Sequence, residues 1–155
     1  ADLGLVEDLL RESSNWAYVD GLATGVGARL VEQHSGTGDV LDRWAQDDYF
    51  WIRRAAMLAL LPPLDRGEGD LDRFLRYADR MLDEKEFFIR KAIGWVLRDA
   101  SKPNPEPVYD FVKARIDRIS GVTIREAVKY LSDAQGDELM AAYKARPPAR
   151  IRDGS

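Results

Sequence analysis

The sequence predicts an all-α chain folded as an α-solenoid, a superhelix of antiparallel helix pairs. Three observations carry this expectation. Apolar residues recur at helical spacing nearly everywhere, as in Leu3, Val6, Leu9 and Leu10, or Phe74, Tyr77 and Met81. The alternation that marks a strand is missing from the sequence. One short pattern also returns at intervals in the mid-thirties, the length of two helices and their turns.

The helices run in order between the breakers. Stretches at about 2–12 and 15–33 precede Ser35-Gly36-Thr37-Gly38. Stretches at about 38–46 and 48–61 run up to Pro62-Pro63. Arg66-Gly67-Glu68-Gly69 introduces 69–81, and 86–100 stops before Pro103 and Pro105. The last helices are expected at about 105–118, 122–132 and 135–145, with Gly136 as the final breaker.

The repeat is explicit. Phe50-Trp51-Ile52-Arg53-Arg54-Ala55 matches Phe87-Phe88-Ile89-Arg90-Lys91-Ala92 at an offset of 37. Ile124-Arg125-Glu126-Ala127 continues it at 35, and Trp16-Ala17-Tyr18-Val19-Asp20-Gly21 is a weaker copy 34 residues before Phe50. Each copy falls on the second helix of a pair, so the solenoid is HEAT-like, with a slightly short period. Equivalent positions on successive second helices share one face, normally the concave one. The register places Asp20, Arg54, Lys91 and Glu126 there, with Trp16 and Trp95 one turn from Asp20 and Lys91.

Composition narrows the function. The 155 residues suit one domain, 1–146, with a basic tail at 147–155. The absence of cysteine excludes disulfides and thiolate metal centres, and His34 alone leaves no parts for a histidine-rich metal site or triad. No metal or cofactor is expected. No apolar run approaches the length of a membrane span, so no membrane partner is expected. The chain is further expected to be cytoplasmic, of bacterial type, and monomeric. The net charge of −4 is uneven: residues 1–50 carry −7 and the remainder +3. Overall acidity gives no support to non-specific nucleic-acid binding, while a basic stripe on one face stays open.

Several residues admit a purely structural reading. Trp44 and Trp51 read as core. Asp20 suits a simple pair with an arginine of the solenoid as well as it suits chemistry. Arg53-Arg54 and Arg90-Lys91 fit solvated faces or inter-repeat salt bridges. Arg146, Arg150 and Arg152 read as a frayed basic tail, and His34 as a residue near a helix C-terminus.

Asn15-Trp16-Ala17-Tyr18-Val19-Asp20, Trp51-Ile52-Arg53-Arg54-Ala55-Ala56 and above all Glu86 through Asp99 (EFFIRKAIGWVLRD) resemble the DNA alkylation repair family. Lys102-Pro103-Asn104-Pro105 and Arg125-Glu126-Ala127 fit as well, so the resemblance spans about residues 3–133. It implies a HEAT-like glycosylase that removes cationic N3- and N7-alkylated purines from duplex DNA without a base-flipping pocket. By that resemblance Asp20 is the catalytic carboxylate, Trp16 and Trp95 meet the lesion's sugar–phosphate backbone, and Arg54 holds the backbone nearby. Arg90, Lys91, Arg98, Lys102 and Arg125 are candidates for further phosphate contacts.

Two departures stand out. Family members carry further helices before the Trp–Asp segment, so N-terminal repeats are expected to be lacking here. Position 17 is Ala where many relatives have a second acidic residue. Three functions are weighed: a glycosylase, a non-catalytic HEAT-like module that binds DNA or protein, and a scaffold without nucleic acid.

Overall fold

The computed structural model describes residues 2–147, and all regular secondary structure among them is helical. Asp2 caps α1 (Leu3–Arg11), its carboxylate accepting the Gly4 N–H at 2.9 Å. Asn15 does the same for α2 (Trp16–Gly21), taking the Ala17 N–H at 2.8 Å. A π-helical turn, Leu22–Gly27, then leads without a break into α3 (Ala28–Gln33). The chain continues through α4 (Thr37–Trp44), α5 (Phe50–Leu58), α6 (Leu61–Asp65), α7 (Leu71–Met81), α8 (Phe87–Ser101), α9 (Pro105–Lys113), α10 (Gly121–Ala127) and α11 (Asp133–Ala145).

Three expectations need correction. Pro62 and Pro63 do not break the chain; they fill the first turn of α6, where a missing N–H is harmless and the fixed φ suits a helix. The stretches 105–118 and 122–132 shorten to α9 and α10, because i→i−3 bonds take over beyond them. Arg115 N–H bonds to Val112 O, and Lys129 N–H to Glu126 O. Arg146 is tied rather than frayed. Its guanidinium donates to Ile119 O at 2.8 Å and to the Tyr143 hydroxyl at 3.1 Å. Arg150 and Arg152 lie outside the described residues.

The helices α2, α5, α8 and α10 pack side by side as one layer, and α1, α4, α7 and α9 cover its back. One apolar core runs from Leu3 through Trp44, Phe74 and Ile93 to Leu139. Trp44 and Trp51 belong to it, as expected. Polar bonds repeat with the period of the sequence. Glu7–Arg43, Arg11–Asp47, Asp42–Tyr77, Asp79–Arg115 and Lys91–Glu126 each join residues 35 or 36 apart. Such bonds between matching helices make the architecture an α-solenoid.

Candidate functional site

Asp20, Arg54 and Glu126 are buried in the seams of the second-helix layer, while Lys91 reaches Glu126 from its open surface. Arg54, on α5, is 3% exposed and reaches both neighbours. Its Nε donates to Asp20 Oδ1 at 2.8 Å and its Nη2 to Asp20 Oδ2 at 2.9 Å. Its Nη1 donates to Phe88 O on α8, and its Cζ lies 5.8 Å from the centre of the Phe88 ring. Parallel bonds of this kind fix a carboxylate's orientation as well as its charge.

Local sequence places Asp20 there. The Asn15 cap sets the start of α2, which puts Trp16 at its first position and Asp20 one turn later on the same face. Trp16 is 55% exposed while Asp20 is 8% exposed, so an open aromatic face stands one turn before a buried carboxylate. The π turn comes directly after. Thr24 Oγ1 donates back to Asp20 O at 2.7 Å, an i−4 bond of the sort that bends helices. The extra residue in a π turn rotates the helix beyond it, so Asp20 faces α5 while Ala28 and Leu30 still reach the core.

A second carboxylate occupies the far end of the register. Glu126, 8% exposed, accepts from Lys91 Nζ at 2.8 Å, Lys129 Nζ at 2.9 Å and Arg98 Nη1 at 2.9 Å. The bonds from Lys91 and Lys129 outweigh its burial and hold its pKa down at about 2. Trp95, half-buried, donates from Nε1 to Asp99 Oδ2 at 3.1 Å, and Arg98 Nε holds the other oxygen at 3.0 Å. Gly94 explains the close seam between α8 and α10. A Cβ there would stand 2.8 Å from Glu126 Cβ and 3.1 Å from Thr123 O.

One expected phosphate contact is drawn elsewhere. Arg90 donates to Glu84 O at 2.7 Å, six residues back, as its repeat equivalent Arg53 donates to Asp47 O at 2.8 Å. Both arginines brace the turn before their helix. Arg125, in the same row, is exposed, but its guanidinium lies beside Gly121 and Tyr143. Neighbouring positions on a helix diverge by about 100°, so Arg90 and Arg125 leave the face that Lys91 and Glu126 occupy. The expected backbone contact of Arg54 meets a different geometry as well: three of its donors are spent inside the protein.

The positions in these seams span the region that matches a known family. Residues 1–131 match the family model of the DNA alkylation repair enzyme. This chain belongs to the DNA alkylation repair enzyme family. No curated protein matches it in sequence. Among solved structures it is similar to a predicted DNA alkylation repair enzyme from Enterococcus faecalis, with 26% identity and a TM-score of 0.75. The match covers 86% of this chain and 62% of that one, so this member spans less than two thirds of the solved protein's length.

Pattern reading missed Lys129 in this member of the DNA alkylation repair enzyme family. Lys129 lies three residues after Glu126, a spacing that signals a shared helical face. Part of the acidity of the first 50 residues is absorbed away from the site. Glu7 pairs with Arg11 and Arg43, Asp47 with Arg11, and Asp42 with Arg73. No helix among the described residues is long and apolar enough to cross a membrane.

Proposed function

We propose that the chain is a DNA glycosylase that releases positively charged N3- and N7-alkylated purines from duplex DNA. One observation supports this best. In a member of the DNA alkylation repair enzyme family, a carboxylate aimed by a buried arginine lies one turn from an exposed tryptophan.

An alkylated purine is already cationic, so it departs with the electron pair of the C1′–N bond without prior protonation. Departure leaves an oxocarbenium-like sugar, and a carboxylate near C1′ stabilises that charge. Each Asp20 oxygen accepts one bond from Arg54 and keeps a further lone pair for the sugar or the attacking water. Water adds at C1′ and loses its proton to Asp20 or solvent, leaving an abasic site. Trp16 packs against the deoxyribose, and Trp95 takes the backbone on the other side, both faces favouring cationic character. Arg54 is a positioning residue for Asp20. Lys91 supplies a phosphate contact, whereas Arg90 braces Glu84 O.

A non-catalytic DNA-binding module is the second reading, favoured by Arg54's hold on both oxygens of Asp20. Incubation with duplex DNA carrying one N7-methylguanine separates the two. The first reading expects base release by the native chain and none by Asp20→Asn, with DNA binding retained. Binding without release by either protein overturns it in favour of the second.

A further inference from the structure

We propose that Lys91, Arg98 and Lys129 form a phosphate-binding site for the DNA backbone, assembled on Glu126 as its positioning residue. This rests on the reading that the face bearing Asp20 takes duplex DNA.

The register carries cations at two places, and only one has charge to spare. At the first, Arg54 has a side chain 4% exposed and directs three donors to Asp20 and Phe88. Nothing positive is left there to hold a phosphate. At the second, Lys91, Arg98 and Lys129 face Glu126, while Asp99 takes Arg98 and Lys102 and Asp65 takes Lys102; four cations against three carboxylates leave net positive charge.

The lysines at this place are open. The side chains of Lys91 and Lys129 are 43% and 51% exposed, against 10% for Glu126. Each ammonium spends one of its three donors on Glu126, which leaves two for a ligand. Both bond the same oxygen, Oε1, so the two nitrogens stand close enough for one phosphate to bridge them. Arg98 approaches from the other oxygen and is braced by Asp99, the residue that also holds Trp95. The site therefore adjoins the tryptophan assigned to the lesion's backbone.

Glu126 is what keeps these like charges together. Without it, three cations would repel and their long side chains would splay. Its own place is fixed by the α8–α10 seam, where Gly94 leaves no room for a side chain. A preorganised cluster binds an anion better than three independent side chains do. Removing this negative charge is therefore expected to weaken DNA binding, the reverse of what simple charge counting gives.

The test is fluorescence anisotropy with a short labelled duplex across a salt series, together with base release from the methylated duplex. Lys91→Ala and Lys129→Ala should each weaken binding several-fold and lower the slope of log K against log salt by about one. Glu126→Gln should also weaken binding, and Lys129→Ala should then cost less in that background. Circular dichroism melts establish that Glu126→Gln is folded; if it is not, the two exposed lysines decide. The site is overturned if the native chain binds DNA while both lysine variants keep its affinity and salt slope. A folded Glu126→Gln that binds as tightly as native, or more tightly, removes the positioning role. If the native chain neither binds nor cleaves the duplex, the functional reading falls and the site with it.

Discussion

Arg54 and Asp20, 34 residues apart, are joined by two parallel hydrogen bonds of 2.8 and 2.9 Å in the seam between α2 and α5. Arg54 also bonds Phe88 O, so one guanidinium ties three successive repeats. Any functional role for Asp20 passes through this arrangement.

Truncating that guanidinium tests its structural share. Arg54→Ala leaves Asp20 buried without its counter-charge, and such losses cost about 3–5 kcal/mol. Urea denaturation should show a lower midpoint of that order. Arg54→Lys keeps the charge without the planar fork, so it should stay folded while base release falls sharply. Undiminished release by a folded Arg54→Lys would contradict the aiming role.

Gly94 marks the tightest packing of the site. A methyl group there meets Glu126 Cβ and the backbone of Thr123, neither of which can swing aside. Gly94→Ala should destabilise the chain by about 1–3 kcal/mol through overpacking, despite alanine's better helix propensity. A raised melting temperature would show that α8 and α10 separate without strain.

The acid limb of stability carries a signature of Glu126. Its pKa is lowered from 4.5 to about 2, first by Lys91 and then by Lys129. A depressed carboxylate contributes stability that is fully present above its unfolded value and is lost as pH falls through the folded one. The contribution of Glu126 should therefore be intact above pH 4.5 and disappear between there and about pH 2. Denaturation measured across that window should fall less steeply for Glu126→Gln than for the native chain. Parallel curves would mean the three cations do not hold the ionised form.

The last helix has its own anchor. Arg146 donates to Ile119 O and Tyr143 Oη, and its Cζ lies 4.1 Å from the centre of the Tyr143 ring. Arg146→Ala should cost about 1–3 kcal/mol and raise hydrogen exchange in α11 before it does so in α8. Equal protection of α11 in both proteins would assign the ordering of that helix to its apolar contacts alone.

Much of this was readable from the chain. Trp16 and Asp20 are four residues apart, and offsets of 34 to 37 align Asp20, Arg54, Lys91 and Glu126. A helix of 3.6 residues per turn converts those spacings into a shared face with no further information. What periodicity could not supply was the outcome in the seam. It did not say whether Arg54 would turn outward to a phosphate or inward to Asp20, or that Arg90 would brace Glu84 O. Nor did it show Lys129 joining Lys91 on Glu126.

By itself, then, the sequence determined the helices, their mid-thirties period and the row of residues that face one way. The tertiary structure decided which of those residues satisfy one another and which keep charge to spare. The physical reason is valence. Helical phase is a property of each segment alone, whereas the partner of a buried guanidinium or carboxylate depends on which acceptors and donors the neighbouring helix brings within about 3 Å.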